Sequence, residues 1–175
     1  MSDDGTPGEL VQEARDAKKA FGPKCGKFAG AVTVEIIRAR LQVEGILVSA
    51  RDVFISGLPI ELDLLVPRKG AEPWMSMLYE REDVCAVLEI KNAGSFGDQT
   101  IRSVRSNFER VRQRVPGVTC AYVSLEERQG YKWAITDANS GVRAFTLAWR
   151  KGDSGPYSLT ADWSRLVSSL REASR

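Results

Sequence analysis

Residues 84–94 read VCAVLEIKNAG, and the stretch at 59–66, earlier in the chain, reads PIELDLLV. Both are apolar runs of the length and composition that predict strands inside a sheet. Each also carries charged side chains, among them Asp63 in the earlier stretch and Glu89 and Lys91 in the later one. Because strand side chains alternate between the two faces, Glu89 and Lys91 share one face. A strand built for burial therefore carries an acid and a base side by side, which requires an explanation.

The alternation predicts one wholly apolar face and one mixed face for each strand. Asp63 shares its mixed face with Glu61 and Leu65. The predicted apolar face of the same strand consists of Ile60, Leu62, Leu64 and Val66.

The two acids are expected to meet if the strands pair, because cross-strand Cβ atoms lie about 4.5–5.5 Å apart. Carboxylates at this separation repel each other, and one pKa rises unless a cation lies between them. A divalent metal removes this conflict by accepting both as oxygen ligands. The alternative is a solvated edge on which Asp63, Glu89 and Lys91 are paired with neighbouring side chains.

A third acid lies on a predicted helix at about 27–44. On a helical projection Glu35 falls inside an apolar arc, and a lone carboxylate directed into a core costs several kcal/mol. We therefore expect Glu35 to join the metal cluster, with an arginine partner as the alternative. The arc consists of Phe28, Val32, Ile36, Ala39 and Val43.

Composition limits the chemistry of this site. The 175 residues are 43% hydrophobic and 27% charged, which is typical of one globular domain spanning 1–175. The sequence lacks histidine, which excludes histidine bases and histidine-containing zinc sites. Carboxylate and carbonyl ligands favour Mg²⁺ or Mn²⁺. The three cysteines are widely spaced, which predicts free thiols in a reducing compartment. The sequence has neither a secretory signal nor an apolar run long enough to span a membrane. We therefore expect a cytoplasmic protein that makes no membrane contact.

Strands and helices interleave along the chain, which predicts an α/β (α+β) fold with a mixed central sheet flanked by helices. The predicted helices are 8–21, 27–44, a short one starting near Pro73, 98–115, and a last one from Thr160 or Asp162; the predicted strands are 46–55, 59–66, 83–91, 118–125, 131–137 and 142–149.

The two quoted stretches, PIELDLLV and VCAVLEIKNAG, resemble the core motif of the PD-(D/E)XK nuclease superfamily. The resemblance implies a restriction endonuclease-like core at about 27–125, with additional strands and a C-terminal helix in 126–175. It also implies that Asp63, Glu89 and the carbonyl of Ile90 bind Mg²⁺ or Mn²⁺, with Glu35 as the helix glutamate.

In this interpretation Lys91 lies beside the attacking water, and desolvation next to a metal lowers its pKa. The implied activity is metal-dependent hydrolysis of duplex or branched DNA, in restriction, defence, repair or mobile-element processing. Two alternatives remain, namely a noncatalytic nucleic-acid-binding or assembly module and a subunit active only in a complex. A homodimer or larger nuclease complex is expected if both strands of a duplex are cut.

The net charge is only +2, so attraction to DNA must come from a local basic surface. The helix at 98–115 is the most basic stretch and predicts phosphate contacts. Its alternative is a solvated helix surface. The expected DNA-binding residues are Asn92, Gln99, Arg102, Arg105 and Arg112. The segment 67–82 is expected to pack on the core or form a dimer contact, with approach to DNA as the alternative.

Overall fold

The computed structural model describes residues 12, 13, 16 and 19 and the ranges 26–93, 98–128, 143–150 and 157–175. The helices are α1 (Gly26–Val43), α2 (Asp98–Arg114) and α3 (Asp162–Ala173), and a 3₁₀ turn covers Arg81–Asp83. The strands are β1 (Val53–Ile55), β2 (Leu58–Leu62), β3 (Leu64–Pro67), β4 (Leu78–Tyr79), β5 (Val84–Ala93), β6 (Thr119–Arg128), β7 (Arg143–Arg150) and β8 (Tyr157–Leu159).

These strands form two sheets. The larger has the order β3-β5-β6-β7-β8, with β5, β6 and β7 parallel and an antiparallel strand at each edge. The smaller has the order β2-β1-β4. Helices α1 and α3 share one hydrophobic core with the larger sheet, and α2 shares a second core with its other face and with the smaller sheet. The predicted class, a mixed sheet flanked by helices, is confirmed.

The predicted strand at 59–66 is two strands, and Asp63 occupies the bend between them. Leu62 ends β2 in the smaller sheet, and Leu64 begins β3 in the larger one. Leu62 therefore packs in the core of α2, whereas Leu64 packs in the core of α1 and α3. The prediction that the apolar residues of 59–66 share one face is wrong, because the chain crosses between sheets at Asp63.

The apolar arc predicted for α1 is not its buried face. The structure buries Thr33, Val34, Ile37 and Leu41, whereas Val43 from the predicted arc is exposed. The helix carries apolar residues around more than one face, so periodicity alone does not select the side that packs.

Several other boundaries are close to their predictions, including 98–115 for α2 and the last helix, whose Trp163, Leu166 and Leu170 are buried. Within 46–55 only Val53–Ile55 is a strand. The short helix expected after Pro73 is wrong, because this segment forms a hairpin leading into β4.

The strand predicted at 131–137 lies outside the described residues, as does most of the helix predicted at 8–21. In the part of the chain that the structure covers, no helix is long and apolar enough to cross a membrane.

Candidate active site

Asp63 lies directly beside Glu89, as the sequence predicts. Strands β3 and β5 are antiparallel with Leu64 opposite Leu88, so one further step in this register places Asp63 opposite Glu89. The bend at Asp63 directs its side chain toward β5, where Oδ2 accepts a hydrogen bond from the Ile90 backbone N–H at 2.6 Å. This bond joins the crossing point of the two sheets to the central strand.

Lys91 is the third member of this group, and Asp63, Glu89 and Lys91 together are called the catalytic cluster below. Its Nζ donates a hydrogen bond to Glu89 Oε1 and lies 3.7 Å from Asp63 Oδ2. The side chains of Asp63, Glu89 and Lys91 retain 25%, 18% and 33% of their exposure, so the cluster is partly desolvated but open on one side. The structure therefore brings together three of the residues that the resemblance assigns to catalysis.

The two carboxylates and the ammonium change each other's protonation. Burial raises the pKa of Glu89, the negative charge of Asp63 raises it further, and Lys91 opposes both without cancelling them. Burial lowers the pKa of Lys91, but the carboxylates of Glu89 and Asp63 outweigh burial, and the net shift is upward. In this geometry Lys91 is a firmly protonated cation. The expected lowering of its pKa does not occur while both carboxylates hold it.

Glu35 interacts with arginines. Its carboxylate accepts a hydrogen bond from Arg38 Nε at 2.7 Å and lies 3.9 Å from Arg51 Nε. Throughout the described ranges, no three histidine, cysteine, aspartate or glutamate side chains form a group able to hold a metal. The arginine partners considered as the alternative are thus present, and metal binding by Glu35 stays a prediction.

The donor set of two carboxylates fits Mg²⁺ without a third acid. Mg²⁺ keeps several of its waters and is commonly bound through one or two carboxylates together with substrate phosphate. Asp63 and Glu89 supply this pair, and the cation now between them, Lys91 Nζ, occupies a position of strongly negative potential. Ligation by the Ile90 carbonyl stays a prediction.

Strand β6 adds neighbours that the sequence analysis missed. Tyr122 is paired with Glu89, Ser124 with Lys91 and Glu126 with Ala93, so all three β6 side chains share the face of the cluster. Tyr122, Ser124 and Glu126 are buried. The alternation in β6 marks Glu126 as an inward acid, but only the register of β6 against β5 reveals that it is near Lys91.

The predicted arginine stripe on α2 divides into two parts. Gln99 and Arg102 are exposed near the helix start, which follows β5 in the chain, and Arg105 is half-buried. Arg112 lies about 20 Å from Gln99 at the helical rise of 1.5 Å per residue, and it hydrogen-bonds the Cys120 thiol.

Arg105 is the member of the stripe with an unsatisfied group. Its Nε is buried and has no hydrogen-bond partner within the described residues. A buried guanidinium N–H without an acceptor costs about 1–3 kcal/mol, so the protein leaves part of the Arg105 hydrogen-bonding capacity unused. Asn92 has a structural contact, because its Nδ2 donates to Thr33 Oγ1 at 3.0 Å and ties β5 to α1.

No protein-family model and no curated protein matches the chain. Solved structures do match at low sequence identity. The cAAA-bound form of P. aeruginosa ATCC27853 NucC is 13% identical with a TM-score of 0.67, over 95% of this chain and 88% of that chain. The cAAA-bound form of E. coli MS115-1 NucC is 13% identical with a TM-score of 0.66, over 95% and 87% of the two chains. Its apo form is 12% identical with a TM-score of 0.56, over 97% and 92%.

The chain thus has a restriction endonuclease-like fold, and the resemblance to PD-(D/E)XK nucleases is confirmed at the level of the fold. NucC, the protein in the three structures named above, is a nuclease of the PD-(D/E)XK type.

Proposed function

We propose that the protein is a metal-dependent nuclease that hydrolyses DNA phosphodiester bonds. The observation that supports this most strongly is the convergence of Asp63, Glu89 and Lys91 where β2, β3 and β5 meet. Asp63 accepts a 2.6 Å hydrogen bond from the backbone of β5, and it shares Lys91 with Glu89. Charged side chains on a solvated sheet edge, the alternative interpretation, would not need to make these two contacts together.

In the proposed mechanism Asp63, Glu89 and the Ile90 carbonyl would hold Mg²⁺ or Mn²⁺. The bound metal supplies Lewis-acid activation of water and neutralises phosphate charge. Lys91 would face the scissile phosphate, because its ammonium is a cation beside the two carboxylates that would hold the metal. The anionic phosphate favours the protonated form of Lys91, and this ammonium would stabilise the negative charge that develops on the phosphate oxygens.

A cleavage assay tests this proposal. Supercoiled plasmid, linear duplex, branched DNA, single strands and RNA are incubated with the protein in Mg²⁺, Mn²⁺ or EDTA. We expect DNA cleavage that requires metal and falls at least about 100-fold in Asp63→Asn, Glu89→Gln and Lys91→Ala. Glu61→Gln is the matched control, because Glu61 is an exposed acid on β2 only two residues before Asp63. Undiminished cleavage in any of the three variants contradicts the assigned roles.

We further infer a role in defence, as part of an oligomeric assembly in the cytoplasm. Structures of NucC from P. aeruginosa and E. coli were determined in cAAA-bound form, which makes cAAA a candidate ligand to test on this protein. The same assay is therefore run with and without cAAA, and sedimentation is measured in both conditions. Protein that binds DNA but cuts none of the substrates under any condition supports a noncatalytic module or a subunit requiring a complex.

A further inference from the structure

Three of the five exposed large apolar side chains among the described residues lie in one hairpin, residues 74–78. Trp74, Met75 and Met77 retain 68%, 69% and 47% of their exposure. Trp74 and Leu78 exchange backbone hydrogen bonds of 2.9 and 3.0 Å, which closes a three-residue loop. The chain thus presents a tryptophan and two methionines to solvent on a short, hydrogen-bonded turn.

The loop has a strained backbone. Met75 and Ser76 have φ of 48° and 65°, the left-handed region that glycine and asparagine usually occupy. This conformation costs about 1–2 kcal/mol for each ordinary residue. Strain of this kind concentrates at ligand-binding and active sites. The sequence therefore keeps bulky side chains at the tip where glycine would relieve strain.

The hairpin and Asp63 lie at the same end of the smaller sheet, next to its two outer strands β4 and β2. Val53 pairs with Leu62, the residue before Asp63, and the Phe54 N–H donates to the Met77 carbonyl at 2.8 Å. Leu62 and Met77 thus lie two strand spacings apart, about 10 Å. The hairpin tip and Asp63 both lie beyond this end of the smaller sheet.

We propose that the 74–78 hairpin is a nucleic-acid-contacting element, in which Trp74 stacks on a base and the methionines line its groove beside the phosphate at the catalytic cluster. This inference rests on the proposed function. The spacing fits, because the tip lies about 10 Å from Leu62, within the roughly 12 Å width of a B-DNA groove, so it can reach the base step beside a phosphate at Asp63. Trp74 would stack there by wedging between the bases of that step. Aromatic and methionine side chains are the groups that stack on bases or wedge between them. Packing against a second copy of the chain would not explain why the tip lies at the end of the smaller sheet that carries Asp63.

The proposal is tested with Trp74→Ala, Trp74→Phe and the control Val43→Ala, which shortens another exposed apolar side chain on α1. DNA affinity is measured by fluorescence anisotropy in EDTA, and KM and kcat by cleavage in metal. We expect Trp74→Ala to weaken DNA binding and raise KM by about tenfold or more, since base stacking on an aromatic ring contributes this much. Trp74→Phe should retain affinity within about threefold, Val43→Ala should match wild type, and the melting temperature should be unchanged in all three.

The outcomes separate this inference from the proposed function. If the wild type cuts DNA and Glu89→Gln does not, but Trp74→Ala binds and cuts like wild type, the hairpin proposal is wrong and the nuclease assignment stands. If the wild type neither binds nor cuts any substrate, the nuclease assignment fails and the hairpin proposal fails with it. A third outcome is that Trp74→Ala changes the oligomeric state of the free protein, measured by sedimentation, but leaves the DNA affinity of the assembled oligomer unchanged. The hairpin is then a contact between copies of the chain, and the proposal is overturned.

Discussion

Replacing Glu89 with glutamine is expected to stabilise the metal-free protein while removing its activity. At an effective dielectric constant of 20, two charges about 4–5 Å apart interact by about 3–4 kcal/mol. The repulsion from Asp63 opposes the attraction and hydrogen bond of Lys91, so neither interaction acts alone on Glu89. Burial of the carboxylate then decides the sign, in agreement with the raised pKa of Glu89.

We expect a net gain of about 1 kcal/mol for Glu89→Gln, which corresponds to about 2–4 °C in melting temperature for a chain of this size. The assay is thermal unfolding in EDTA and in Mg²⁺ or Mn²⁺ at pH 7. Metal at 100 times its dissociation constant stabilises the wild type by about 2.7 kcal/mol. The variant, which lacks one of two carboxylate ligands, should gain much less, so the order of melting temperatures reverses when metal is added.

The pH dependence gives a second readout. A raised folded-state pKa means that the folded protein binds the Glu89 proton more tightly than the unfolded chain. The associated stabilisation is present below the ordinary glutamate pKa and is lost as pH rises through the folded-state value. The advantage of Glu89→Gln should therefore be absent below about pH 4 and full at neutral pH. A variant that melts below wild type in EDTA, or gains equally from metal, would refute the reasoning.

Three further predictions concern residues around the cluster. Arg105→Ala should weaken DNA binding by about fivefold or more and reduce its salt dependence. Arg112→Ala should weaken binding less, because Arg112 lies at the far end of α2 and contacts Cys120; anisotropy titrations at two salt concentrations measure both. Burial raises the pKa of the Cys120 thiol to about 11, so this thiol should react with iodoacetamide at pH 8 only after the protein unfolds. Mass spectrometry measures the alkylation, and rapid labelling of the native protein would contradict the prediction. Gly57→Ala should lower stability by about 1–3 kcal/mol, because φ is +73° and an added Cβ would lie 2.1 Å from Arg114 Nη2; denaturant unfolding without loss of stability would show that Arg114 moves aside.

The catalytic cluster could be predicted because the residue pattern that indicates it lies within two short stretches of sequence. Two strands with period-2 alternation and apolar ends place Asp63, Glu89 and Lys91 on mixed faces, and pairing of neighbouring strands is the simplest way to bury the apolar ones. The contact between Glu89 and Lys91 follows from that pattern, whereas Asp63 reaches them from the bend between β2 and β3. The fold class was predictable for the same reason, since the order of helices and strands limits the possible layers.

What could not be predicted depends on contacts between distant segments. The division of 59–66 at Asp63 requires knowledge of β1 and β5, which pair with its two halves in different sheets. The face that α1 buries depends on the sheet beneath it, and its two apolar sides are equivalent in sequence. Likewise, the placement of Glu126 beside the cluster depends on the register of β6, which no local pattern encodes.

The position of Asp63 between two sheets makes catalysis sensitive to partial opening. Its backbone is held by the smaller sheet through the Asp52 N–H, and its carboxylate by the larger sheet through Ile90. Opening of the smaller sheet alone would withdraw one of the two carboxylates from Glu89 while α1, α3 and the larger sheet remain packed. The protein therefore loses its catalytic geometry at the free energy of local opening, which is lower than that of global unfolding. Amide hydrogen exchange in β1 and β2 is thus the measurement that reports how often the site is assembled.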